Sequence, residues 1–189
     1  MSILLVGAGG HAKGVVEVLT LCSQSIAAYA DPNKADWLDA SWCQDVPTWT
    51  KLNGHDRFVM GIGGVAPDKL QKRLAIFDDI CDQGLSPVTA IHPRANVSAD
   101  ADIQDGAIIM TGAIVQPGAI IGRGAIINTG AIVEHDSIVG AGSHVAPGAI
   151  VLGQCHIGDA CMVGAGAVVL QGNTVEMGTL VKAASRYPK

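Results

Sequence analysis

The chain has 189 residues, 49% of them apolar, and a net charge of −5 with no basic block. That length allows one or two domains with a real core, and the acidic balance argues against nucleic acid or an anionic membrane as the main partner. The five cysteines, Cys22, Cys43, Cys81, Cys155 and Cys161, have neither CxxC pairing nor the density of a disulfide framework, so they read as reduced thiols buried as small hydrophobes. The opening MSILLVGAGG has no basic segment and turns glycine-rich after six residues, unlike a signal peptide, so a cytoplasmic protein is expected.

Ile3, Leu4, Leu5 and Val6 form a wholly apolar run ending at Gly7, the pattern of a buried parallel strand. Residues 11–21 carry apolar side chains at helical spacing, and 26–30 read as a second strand ending at Asp31 and Pro32. Residues 57–62 are a third strand ending at Gly63 and Gly64, and 67–81 a helix with Asp, Lys and Arg expected on its outer face. Strand, helix, strand is the nucleotide-binding half of a Rossmann-like α/β fold, expected over residues 1–90, with 87–93 as the hinge. The segment Gly7-Ala-Gly9-Gly10-His11-Ala12 between the first strand and helix fits G-x-G-x-x-A. Backbone N–H groups at a helix N-terminus would cradle phosphate there, and a glycine turn without ligand is the competing reading. Asp31 ends the next strand, where an acid commonly accepts from a ribose or base.

The second half obeys a different rule. Written in sixes from Ala95, the third position is Val or Ile in all fifteen rows, and the sixth is Gly in ten. A fixed period marks a repeat architecture whose units bury their apolar faces against their neighbours. Positions one and three point inward, position two outward, and three short strands close one triangular coil. Residues 18 apart then stack at about 4.8 Å. The uncharged stretch 106–122 belongs to this pattern rather than to a membrane span, because glycine recurs every sixth residue and Pro117 interrupts it. Ile114, Ile132, Ile150 and Val168 make an outward apolar stripe, to be buried either in a three-fold oligomer, the preferred reading, or under the N-terminal half.

Ionisable residues are scarce among the repeats, and Glu134, His135 and Asp136 break the pattern at one corner. His135 oriented by a carboxylate, from Asp136 or Glu134, is a candidate general base; a solvated corner is the alternative. One coil on, Gly153 leaves space beside His135 and a backbone N–H for an oxyanion, or is an ordinary turn glycine. His144, nine residues from His135, is expected on another face, so the two would meet only across a subunit boundary. From Arg123 to Lys182 there is no intervening Lys or Arg, so phosphates on the upper coils would need Lys182, Arg186 or Lys189, or these residues only solubilise the tail.

A GAGGHAK loop, an IHPRANV junction, and coils containing NTGAIVEHD and SHVAPGA together resemble the bacterial sugar-nucleotide acetyltransferases. That family includes sialic acid O-acetyltransferases and N-acetyltransferases acting on nucleotide-linked 4-amino-4,6-dideoxy sugars. The resemblance spans nearly the whole chain and implies a left-handed parallel β-helix over residues 91–189 and a homotrimer with active sites between subunits. It implies acetyl-CoA as co-substrate, with no metal, and a nucleotide-linked amino sugar as partner. By motif, His135 corresponds to the general base and Asp136 to its supporting acid. Gly9, Gly10, His11, Asp31, Gly63 and Asn128 match the substrate side, and His144 and Gly153 the acetyl-CoA side, where Lys182 is the candidate cation for its phosphates. An O-acetyltransferase is the rival within the family, and a non-catalytic β-helix module the rival outside it. Three departures stand out: Pro32 replaces a second acid, Gly64 replaces an asparagine, and a closing GVPAK-like segment is absent.

Overall fold

The computed structural model describes residues 3–45 and 56–188. A five-stranded parallel sheet comes first, in the order β3-β2-β1-β4-β5. Its strands are β1 (Ile3–Val6), β2 (Ile26–Ala30), β3 (Ser41–Cys43), β4 (Arg57–Met60) and β5 (Ser86–Pro87). The central β1 is buried along its length, as expected for a strand covered on both faces. Two helices flank it, α1 (Gly10–Leu21) and α2 (Pro67–Asp82). The third predicted strand ends at Met60, leaving residues 61–65 as a turn, and the short β3 and β5 are too brief to carry a periodic signal.

β6 (Ala90–Ile91) opens the second unit, in which two-residue strands build three flat faces of six, five and six strands. Register steps by 18 throughout, as in Ile114↔Ile132↔Ile150↔Val168. The coils are a left-handed parallel β-helix. They extend one strand beyond the regular rows at each end, since Ala90–Ile91 pairs with Ile108–Ile109 and Arg186–Tyr187 with Val168–Val169. Tyr187 thus takes a position-three place and packs on the end of the core of stacked Val and Ile.

The N-terminal unit covers the face whose outward residues are Ile108, Ile126, His144 and Met162, with exposures of 0, 0, 6 and 7%. Ile108 and Met110 join the core of the α/β sheet, and Met162 packs with Leu70 of α2. The stripe Ile114, Ile132, Ile150 and Val168 lies on the next face and stays half-exposed, so the N-terminal half does not bury it. Two expectations are corrected. Arg73 does not lie on the outer face of α2: with Leu70, Phe77 and Ile80 it forms the helix's buried side, at 1% exposure. Of the five cysteines only Cys155 and Cys161 are buried; Cys22 is exposed and Cys43 and Cys81 are half-buried. The exposed thiol sits at the C-cap of α1, where the helix has already ended. Among the described residues no helix is long and apolar enough to cross a membrane.

Candidate active site

The glycine loop follows from its backbone. Gly7 has φ +87°, and a Cβ there would lie 2.5 Å from Ile62 Cγ1, so only glycine passes between β1 and the 61–65 turn. Gly9 caps α1 in extended conformation, and the space in front of Gly9 and Gly10 is open. Asp31 turns back on this loop: its Oδ2 accepts from Ala8 N–H at 2.8 Å and its Oδ1 from Asn33 N–H at 2.9 Å. It lines a groove of about 400 Å³ with Gly7, Pro32 and Ile62. The Trp37 indole donates to the Ala8 carbonyl, a loop contact with no motif to announce it.

A second cavity, about 500 Å³, lies where the α/β unit meets the coils. Gly10, His11, Gly63, Asn128 and His144 line it together, although they come from both halves of the chain. His144 Nδ1 is 2.6 Å from the Gly64 carbonyl, which only accepts, so Nδ1 carries the proton. Its Nε2 is then an acceptor for the Asn128 amide at 2.9 Å, whose Oδ1 faces the Thr129 N–H at 2.7 Å. Gly63 touches the His11 ring; a Cβ there would approach His11 Cβ to 3.1 Å. A side chain at Gly64 would strike Leu70 Cδ2 at 2.5 Å, which accounts for glycine at that position. Met110, Ala146 and Met162 complete an apolar wall. Met162 was findable, because it stacks 18 residues above His144.

Burial holds His11 neutral, with the Arg73 charge and then His144 adding to the effect, and its pKa falls to about 3. His144 is also lowered, by burial first and by Arg73, against the opposing hydrogen bond to Gly64. Because His11 is depressed, the unfolded chain binds a proton there that the folded chain refuses. Stability from His11 is therefore whole above about pH 6.5 and is lost as pH falls towards 3, at up to about 1.4 kcal/mol per pH unit. Urea unfolding of the wild type and His11→Gln between pH 8 and 5 should show the shallower pH dependence in the variant.

His135 and Asp136 stand at a different corner. His135 Nδ1 is 2.9 Å from Asp136 Oδ2, and both side chains are substantially exposed. The carboxylate accepts from Nδ1–H, which leaves Nε2 with a free lone pair. A Cβ at Gly153 would lie 2.5 Å from that Nε2, so the imidazole rests over bare backbone. Gly153 N–H donates to no other group among the described residues. Asp136 takes the left-handed φ of +57° at a place where ten rows carry glycine, as Gln154, Ala160 and Ala184 also do in theirs, a cost of about 1 kcal/mol relative to glycine. Asp136→Gly should leave stability within about 1 kcal/mol of wild type by urea unfolding, while activity falls at least about tenfold.

The chain path relates these groups. Asn128, Ala146, Gly164 and Lys182 stack at 18-residue intervals along the corner between the covered face and the striped face, and His135 and Gly153 lie at the striped face's other corner. Lys182 is exposed and lines a groove of about 350 Å³ at the end of the coils with Arg186 and Tyr187; Lys189 is outside the described residues. Among the described residues no three His, Cys, Asp or Glu gather as a metal site.

Residues 2–80 match the PglD N-terminal domain, and residues 136–171 the bacterial transferase hexapeptide (six repeats). The fold is similar to that of perosamine N-acetyltransferase from Caulobacter crescentus, solved in complex with CoA and GDP-perosamine. The TM-score is 0.91 at 31% identity, covering 100% of this chain and 89% of that one. The chain belongs to the hexapeptide-repeat sugar acetyltransferases. This acetyltransferase is also similar to the acetyltransferase domain of PglB from Neisseria gonorrhoeae, with a TM-score of 0.88 at 27% identity over 98% of this chain and 90% of that one. WeeI from Acinetobacter baumannii, at 20% identity and a TM-score of 0.73 over 98% of this chain and 95% of that one, shares the fold. A comparison with curated protein sequences gave no match.

Proposed function

We propose that the enzyme transfers acetyl from acetyl-CoA to the amine of a nucleotide-linked 4-amino-4,6-dideoxy sugar, with His135 as general base. The observation that carries this is the His135 pair, held through Nδ1 by Asp136 with Nε2 free over Gly153. The sugar nitrogen attacks the thioester carbonyl carbon while Nε2 takes its proton. The C–N bond forms, the C–S bond breaks, and CoA leaves as its thiol. The Gly153 N–H stabilises the oxyanion. The acceptor class is supported by likeness to an enzyme solved with CoA and GDP-perosamine, two of whose structures carry a single histidine replaced by asparagine or alanine.

Residues 1–90 would hold the sugar nucleotide, with phosphate on the Gly9, Gly10 and His11 loop, the nucleoside towards Asp31, and the sugar beside Gly63 and Asn128. Residues 91–189 would carry acetyl-CoA along the His144 corner towards Lys182. The working unit is a homotrimer. The half-exposed stripe is flanked at one corner by the His144 cavity and at the other by His135, so three-fold packing on it would bring His135 and Gly153 of one subunit to the cavity of the next.

Free thiol released from acetyl-CoA is measured against GDP-, UDP- and dTDP-linked 4-amino-4,6-dideoxy sugars and free sialic acid. Turnover with one amino sugar is expected. Turnover with sialic acid alone would replace the reading by O-acetylation, and failure to bind acetyl-CoA would overturn it.

A further inference from the structure

Arg73 is a buried cation that pairs with no carboxylate among the described residues. Its Nε donates to the Ile62 carbonyl at 2.7 Å and its Nη1 to the Gly124 carbonyl. Its Nη2 is buried and finds no acceptor among the described residues. Removing a charge from water without an opposite charge is costly, and an apolar residue of similar size would ordinarily fill such a place at less expense. Burial is deep enough to lower even this guanidinium's pKa to about 10, yet it stays charged at neutral pH.

Its partners indicate what the charge does. Ile62 belongs to the turn that packs Gly63 against His11 and presents the Gly64 carbonyl to His144, and Gly124 is a corner of the coils. Arg73 also acts electrostatically on both imidazoles. The other groups bearing on them are His144 on His11, and the Gly64 carbonyl and Asn128 amide on His144, and no carboxylate among the described residues offsets the charge.

We propose that Arg73 is a positioning residue for acetyl transfer, whose guanidinium ties the 61–65 turn to the coils and presents an uncompensated positive charge to the cavity imidazoles His11 and His144. This rests on the reading of that cavity as the acceptor site. A neutral His144 donates through Nδ1 to the Gly64 carbonyl and accepts through Nε2 from the Asn128 amide, and an imidazolium would have no acceptor nitrogen for that amide. The same charge disfavours the protonated form of an amine entering the cavity, which is the form that cannot attack.

The first test needs no acceptor. Imidazole nitrogens of the full-length protein, ¹⁵N-labelled at histidine and assigned with His11→Gln and His144→Gln, are followed by NMR from about pH 8 to 5. In the wild type His11 should stay neutral to about pH 5, and His144 should titrate below the ordinary histidine value and be the Nδ1–H form when neutral. In Arg73→Met the His11 titration should rise by at least about one pH unit. Arg73→Lys keeps the charge and should stay within about half a unit of wild type. A folded Arg73→Met with wild-type titration, or a wild type whose His11 protonates near the ordinary histidine value, overturns the proposal. If Arg73→Met does not fold, Arg73→Gln, which removes the charge and keeps hydrogen-bond donors, takes its place, and an unshifted His11 titration in it overturns the proposal. With whichever amino sugar nucleotide supports turnover, Arg73→Met should lose at least about fivefold more kcat/KM than wild type between pH 8 and 6, and an unaltered profile overturns the positioning role. A panel without turnover counts against the proposed function alone, since the NMR result stands apart from it.

Discussion

Replacing His135 with alanine should lower kcat/KM for acetyl transfer by about 10²–10⁴-fold, the usual worth of a positioned general base. The fold should be untouched. The His135 side chain is half-exposed and its hydrogen-bond partner is the equally exposed Asp136, so its removal leaves no buried group unpaired. The KM for acetyl-CoA should stay near wild type, because the lost interaction belongs to proton transfer and not to binding. Thiol release by the wild type and variant at saturating acetyl-CoA, with a thermal melt of each, checks both parts. A variant within about threefold of wild-type kcat/KM would remove His135 from the chemistry.

Gly153→Ala makes a sharper claim, because it adds one methyl group and touches no charge. Gly153 has no left-handed φ, so the backbone accepts alanine, but the new Cβ would meet His135 Nε2 at 2.5 Å and Cε1 at 2.7 Å. Backbone cannot retreat from a coil hydrogen-bonded above and below, as Gly153 O is to Gly172 N–H and His135 O to Gln154 N–H. The ring must therefore tilt away from its bond to Asp136. A misplacement of that size should cost about 10²-fold in kcat with the melting temperature nearly unchanged. Placed in the His135→Ala background, Gly153→Ala should cost little more, since its target is gone. A full additional loss in the double variant would show that position 153 acts through its own backbone and not through the imidazole.

Much of this was written in the order of residues. The period of six, with Val or Ile at every third position, dictates coils in which 18-residue neighbours stack, and the register of Ile114 on Ile132 on Ile150 follows directly. The same arithmetic put Gly153 above His135. Gly7, Gly9 and Gly10 announced the turn between β1 and α1 because few other residues permit it. Helix α2 departs from expectation, because its charged residues do not all face outward. The spacing of Leu70, Arg73, Phe77 and Ile80 already put Arg73 on the apolar side, and composition overrode periodicity.

Local pattern thus determined the stacked coils, the face of each outward residue and the presence of a carboxylate beside His135, since all depend on neighbours at fixed short separations, and the structure chose Asp136 over Glu134 as its partner. The tertiary structure decided which face the α/β unit covers. It brought Gly64 to His144 across 80 positions and Arg73 to Gly124 across 51. Burial at that junction, with the Arg73 charge beside it, lowers the pKa of His11 and His144, because desolvation and through-space charge depend on what surrounds a side chain in three dimensions and leave no period in the sequence.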